Sequence, residues 1–154
     1  MRILLVSDTH GNNEALDILK VMYPKMDLYL HAGDSESDAF SIEPFRSVKG
    51  NCDYFGDFLN YLVIPTPYGN LFMQHRPIPN SQLMKEYDVK IFVCGHTHVR
   101  QHLVENGIVY INPGAIAFAR DKYYYSYAIL DIDEKNVKVE FHTLDEDIPK
   151  KQTI

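Results

Sequence analysis

Short apolar runs, each stopped by glycine, aspartate or histidine, recur along this chain. RILLV (residues 2–6) ends in SDTHGN, and DLYLHAGD carries a second run into Gly33-Asp34. FRSVKGNCD holds a weaker run before Gly50-Asn51, and VKIFVCG leads into His96-Thr97-His98. Such runs, partly β-branched, read as buried strands that feed loops. NEALDILKVMY has helical spacing, with Ala15, Leu16, Leu19 and Met22 on one face and Pro24 past the end. PNSQLMKEYD reads as one short helix capped by Asn80 or Ser81.

The second half changes character. FLNYLVI, NLFMQH, RQHLVENGIVYIN, YYYSYAILDID and VKVEFHTL read as strands, several in hairpins, and Asn106-Gly107 is a strong hairpin turn. Strands alternating with helices early and mostly strands late predict an α/β (α+β) fold: two sheets packed together with helices outside. No linker interrupts the chain, so residues 1–154 are expected to form a single domain.

The 154 residues suffice for a sizeable core, and 45% hydrophobic with 23% charged content is ordinary for a soluble protein. A net charge of −6 with scattered Lys and Arg argues against a nucleic-acid or anionic-membrane surface. A small phosphate ester held by a local positive centre stays compatible with it. Cys52 and Cys94 form no CxxC pair and read as reduced thiols in a cytoplasmic protein. The N-terminal apolar run is too short for a signal peptide, and no segment approaches a membrane span.

The chemistry lies just beyond the strands. Asp8 and His10 follow the first, Asp34 the second, Asn51 and Asp53 the third; His75 follows NLFMQ, and His96 and His98 follow VKIFVCG. In open α/β sheets these loops line one crevice. Each motif alone is more often a turn or cap than a ligand set. Together, Asp8, His10, Asp34, Asn51, His75, His96 and His98 supply more donors than one ion needs, and two divalent ions sharing a carboxylate would use them. Mixed His, Asp and Asn donors suit Mn, Ni, Zn or Fe better than Mg or Ca. Two such ions activate water against a phosphate ester.

The order SDTHG, GD, GNCD, QH, GHTH resembles the calcineurin-like metallophosphoesterases, most closely the small YfcE-type phosphodiesterases. The likeness runs from residue 2 to about 121 and includes INPGAIAFARD. It implies a four-layer sandwich of two mixed sheets flanked by helices. It implies one metal on Asp8, His10, Asp34 and His98, and the other on Asp34, Asn51, His75 and His96. Asp34, Asn51 and His75 are the expected catalytic group, and manganese is the first choice of metal. Two departures stand out: Arg76 follows His75 where the family usually has glycine, and Ala115 stands where it often has serine. A protein-binding scaffold of the same fold, as in retromer's small subunit, is the alternative; a cysteine-dependent hydrolase is a second one.

Substrate contacts are expected from Arg76, Arg120 and Cys52, against the plainer reading of solvated charges and a small packing residue. Larger relatives carry a histidine where this chain has Cys52. His31 is either a partner that orients a ligand or a hydrogen-bonded core residue, and His102 and His142 are ordinary strand residues. Asp53 either hydrogen-bonds a ligand or caps a turn. The tyrosines Tyr123, Tyr124, Tyr125 and Tyr127 alternate across a strand, so one face needs cover, by sheet packing or by a second copy of the chain.

Overall fold

The structure, a computed structural model, describes residues 1–54, 57–117 and 125–144. The first apolar run is strand β1 (Arg2–Val6), followed by helix α1 (Asn13–Met22), β2 (Leu28–His31) and a two-residue β3 (Arg46–Ser47). Then come β4 (Tyr61–Thr66), β5 (Gly69–Gln74), helix α2 (Ser81–Glu86), β6 (Val89–Val93), β7 (Arg100–Glu105), β8 (Ile108–Pro113), β9 (Ser126–Ile132) and β10 (Val137–Thr143). One sheet has the order β10-β9-β1-β2-β3 and the other β4-β5-β6-β8-β7. Both are mixed: β1, β2 and β3 run parallel, as do β5, β6 and β8, with antiparallel strands outside them. This is the expected α/β sandwich.

Alternation along each strand sorts side chains into layers. Ile3 and Leu5 of β1 face Leu71, Met73, Ile91 and Val93 of the other sheet in the central core. Leu4 and Val6 point the other way, onto Ala15, Leu16 and Leu19 of α1. Phe72 and Phe92 turn outward from the second sheet and are covered by Met84 of α2. Met22, expected on the buried face of α1, is the helix's last residue and is 43% exposed, whereas Leu19 one turn earlier is fully buried. Asn80 is the cap of α2, its side chain accepting from Leu83 N–H at 3.0 Å. Asn106 and Gly107 both have positive φ, the backbone of a tight β7–β8 hairpin turn.

Tyr125 and Tyr127 are both buried against the α1 layer, so packing within the chain covers them. Tyr123 and Tyr124 lie outside the described residues. His102 is exposed on β7, and His142 stacks on Tyr127 with ring centroids 5.3 Å apart. Among the described residues no helix is long and apolar enough to cross a membrane.

Both parallel sets end at the same side of the sandwich, which brings the loops after β1, β2, β3, β5 and β6 together. The outer aromatic layer holds the β5 and β6 ends in place. Phe72, fully buried, stacks on Tyr61 at 4.8 Å and lies 6.2 Å from Phe92. Phe72→Ala is expected to cost about 3–5 kcal/mol, measured by chemical denaturation.

Candidate metal centre

The crevice is built from loops that continue the β1–β2 ladder beyond the strands. Asp8 N–H donates to Gly33 O at 3.0 Å, His10 N–H to Asp34 O at 3.0 Å, and Gly11 N–H to Ser35 O at 2.8 Å. The buried His31 ties the same two loops together. Its Nδ1 accepts from Gly33 N–H at 3.1 Å, which leaves Nε2–H to donate to Thr9 Oγ1 at 2.9 Å. His31 thus positions the loops that carry Asp8, His10 and Asp34 through Thr9 and the Gly33 amide. Asp53 does similar work between the second and third loops. Its Oδ2 accepts from Asp34 N–H at 2.9 Å and Gly50 N–H at 2.7 Å, and its Oδ1 from Glu36 N–H at 2.9 Å.

Each of the two central carboxylates is divided between scaffold and crevice. Asp8 Oδ2 accepts from Ser7 Oγ at 2.5 Å and from His96 N–H at 3.0 Å. Its Oδ1 is buried, makes no hydrogen bond, and stands 3.2 Å from His98 Nε2 and 3.8 Å from both His10 Nε2 and His75 Nε2. Asp34 Oδ1 accepts from Cys52 N–H at 2.7 Å, while Oδ2 faces His75 Nε2 at 3.2 Å.

The imidazoles are oriented in the same manner. His75 Nδ1 lies 2.8 Å from Ala32 O, so it carries the proton and presents the lone pair of Nε2. His10 Nδ1 lies 2.6 Å from Glu36 Oε1, which turns Nε2 toward Asp8 and Asp34. Asn51 Oδ1 sits 2.9 Å from His75 Nε2 and 3.1 Å from His96 Nδ1, and those two nitrogens are 3.3 Å apart.

Asn51 Oδ1, Asp34 Oδ2 and His75 Nε2 are all lone-pair atoms, and His96 Nδ1 closes the set. Their separations of 2.9–3.3 Å match the roughly 3.0–3.5 Å expected between ligands bonded to one ion at about 2.0–2.2 Å. A divalent metal would take all four of these donors at once, and the set fits one. Asp8, His10 and His98 gather within 4.8 Å, as do Asp8, Asp34 and His75. Asp8 therefore belongs to both groups, and His10 Nε2 is 4.0 Å from Asp34 Oδ2.

Electrostatics carry the same message. Burial works to raise the Asp34 carboxyl, but the His75 contact and the Cys52 N–H outweigh it and bring it to about 2. Burial is likewise overcome at Asp8 by His98 and His75, and its carboxyl is lowered. Burial pushes His75 down, while Asp34 and Asp8 push harder and raise it. Burial, then His75 and Arg76, lower His96.

The backbone is strained where the donors sit. Asp8, His10, Asp34, His96 and His98 all have φ between 46° and 71°. Left-handed backbone costs a non-glycine residue about 1–3 kcal/mol, and here it aims each side chain inward. Three glycines provide room. A Cβ at Gly50 would overlap Asp34 Oδ1, one at Gly95 would overlap Ser7 Oγ, and one at Gly33 would stand 2.6 Å from His75 Nδ1.

All seven expected donors meet in this crevice. Arg76 is exposed at its rim, Cys52 is half-buried beside Asp34, and Arg120 lies outside the described residues. Sequence reasoning missed Ser7, Glu36 and Asn112. Asn112 Nδ2 donates to Gly95 O at 2.9 Å and to Thr97 Oγ1 at 3.1 Å, which shapes the last loop. Its only sequence signal was its place before Pro113-Gly114.

Two mixed sheets face to face, with a carboxylate, amide and imidazole crevice at their common end, describe a metallophosphoesterase sandwich. Residues 1–135 match the Calcineurin-like phosphoesterase superfamily domain, and the chain belongs to that superfamily. It is 32% identical over 153 residues to the Bacillus subtilis protein named Probable metallophosphoesterase YsnB, covering 92% of this chain and 90% of that one. A Streptococcus pneumoniae crystal structure, described as a predicted phosphoesterase, aligns with TM-score 0.83 at 28% identity over 97% of this chain and 93% of that one. Two more distant structures share the fold alone. Vps29 with Zn2+ from Entamoeba histolytica has TM-score 0.74 and 21% identity over 96% and 95% of the two chains. The Escherichia coli phosphoesterase Yfce has 0.65 and 18% over 93% and 99%.

The loop clamp His31 sets a pH dependence. Burial brings its imidazole from the ordinary 6.5 to about 4. Between those values the unfolded chain binds a proton there that the folded chain refuses, so stability falls as pH drops through this window. His31→Gln is expected to flatten the fall by roughly 1 kcal/mol per pH unit, read from denaturation of both proteins at pH 4–7.

Proposed function

We propose that this chain is a metal-dependent phosphoesterase that hydrolyses small phosphate diesters at a dinuclear centre. The observation that carries the reading is the convergence of acceptor atoms around Asp8 Oδ1 and Asp34 Oδ2. Asp8, His10, Asp34 and His98 would hold one ion, and Asp34, Asn51, His75 and His96 the other. When bound, such a pair supplies Lewis acidity and lowers the pKa of an attacking water.

The chain's own residues prepare the rest. Cys52 N–H pins Asp34 Oδ1, so Oδ2 stays in the crevice. The Ala32 carbonyl holds His75 in one tautomer, and Asn51 is fixed by contact with both His75 and His96. Asp34, Asn51 and His75 thereby form the catalytic group that orients water toward phosphorus. Arg76, at the rim, offers a cation to a non-bridging phosphate oxygen.

The complete donor set favours catalysis over a pure scaffold. A cysteine hydrolase is disfavoured by the thiols themselves. Burial pushes Cys94 up to about 12, and burial followed by Asp34 raises Cys52, so neither supplies a thiolate at neutral pH. The reading takes residues 1–154 as one cytoplasmic unit, with manganese the first metal to test and nickel, zinc and iron after it.

Elemental analysis of the manganese-loaded protein is expected to give two ions per chain. Chelation is expected to abolish hydrolysis of bis(p-nitrophenyl) phosphate, and manganese to restore it. Asp34→Asn should lower kcat on the order of 10³-fold with an unchanged circular dichroism spectrum. Activity that persists in chelator, or one ion at saturation, would defeat the dinuclear reading.

A protonated Cys52 is a weak hydrogen-bond donor for a departing oxygen. Aryl diesters are therefore expected to react far faster than alkyl ones, with a steep dependence on leaving-group pKa. Cys52→His should narrow that gap, since general acid catalysis is worth about 10²–10⁴-fold. A flat dependence in the wild type, with chemistry rate-limiting, would assign the proton to another group.

A further inference from the structure

A cleft of about 660 Å³ opens from the donor cluster, with Asn51, His75 and His96 at one end and Lys49, Arg76 and Ile78 along its walls. That volume accommodates a small organic group. No carboxylate lines it among the described residues, although the chain as a whole carries a net charge of −6. The cleft thus reverses the sign of the surrounding surface, an arrangement that concentrates anions.

Its walls come from the two sheets. Lys49 lies two residues before Asn51, its backbone fixed by Lys49 N–H donating to Leu59 O at 2.8 Å. The opposite wall is held by Gln74 Nε2, which donates to Arg76 O at 2.8 Å and to Ile78 O at 3.0 Å. Among the described residues neither Lys49 nor Arg76 forms an ion pair. Arg76 directly follows His75 and lines the cleft beside the donor cluster, where it faces the phosphate of the proposed substrate. A diester carries one negative charge at the donor cluster, and the exposed Lys49 adds a second cation to the cleft lining.

We propose that this cleft receives the organic part of a phosphodiester that bears a second anionic group, a carboxylate or a further phosphate, and that Lys49 is the residue that selects it. The inference rests on the phosphoesterase reading above. In the reaction, water gives up a proton to solvent and its oxygen bonds to phosphorus as the phosphorus–oxygen bond of the other ester breaks. That group leaves with the bonding electron pair as an alkoxide or phenolate, and the phosphomonoester of the anionic arm stays bound in the cleft.

The test uses the manganese-loaded protein and three p-nitrophenyl phosphodiesters whose second ester is methyl, 2-carboxyethyl or 2-phosphonoethyl. At low salt the wild type is expected to favour one or both charged esters over the methyl ester by about fivefold or more in kcat/KM, mainly through KM. The arm with the larger gain identifies the anion. Lys49→Ala should bring the ratio to about one, Lys49→Arg should preserve it, and added salt should shrink it. Equal values for all three esters in the wild type, or a ratio that survives Lys49→Ala, would overturn the proposal. Hydrolysis of none of the three would instead bring down the phosphoesterase reading and this proposal with it.

Discussion

Everything at the working end of this protein follows from acceptor atoms held closer to one another than they would choose. Asn51 Oδ1, Asp34 Oδ2 and His75 Nε2 point their lone pairs into one small volume, with Asp8 Oδ1 beside them. Such a set repels itself unless a proton on His75 Nε2 or a metal ion sits within it, and Asp34 and Asp8 accordingly raise the His75 imidazole. The fold keeps it together by giving the other half of each group a firm partner. Ser7 and the His96 amide hold Asp8, the Cys52 amide holds Asp34, and a main-chain carbonyl holds His75. The rigidity lies in the scaffold-facing atoms, and the chemistry is left to those that face inward.

That division explains why the loops are so heavily tied. Asp53 gathers three backbone N–H groups from the second and third loops, and His31 bridges the first and second. The sandwich beneath supplies a stiff base, because the parallel strands of both sheets end at the same edge. Strained backbone at five of the donors is tolerable only on such a base. Helices α1 and α2 contribute at a distance, by covering the outer faces of the sheets that carry these loops.

Much of this was legible in the sequence. The runs RILLV and VKIFVCG announced buried strands, and the polar residues after these and the three other runs are the seven that meet in the crevice. Asn106-Gly107 fixed a hairpin through its backbone preference alone. Other features depend on contacts that sequence spacing does not encode. Asp53 had two readings, and only its position between two loops shows that it clamps backbone amides. Glu36 was invisible because its role arises from a left-handed turn just past Asp34. Met22 fits a helical face on paper but, as the last residue of α1, it lies beyond the buried stretch that ends at Leu19. The weak third run yielded only the two residues of β3, since most of its neighbourhood is a loop.

The crowding around Gly33, Gly50 and Gly95 has a bearing on how relatives of this chain are read. At each of these points a donor or its support occupies the space that a side chain would need. A homologue could therefore keep every aspartate, asparagine and histidine and still lack a working centre, through one methyl group at a position that binds nothing. Inventories of ligand residues would pass such a chain as an enzyme. In a superfamily whose fold is also found in Vps29, these three spaces deserve the same scrutiny as the donors when active members are told from inactive ones.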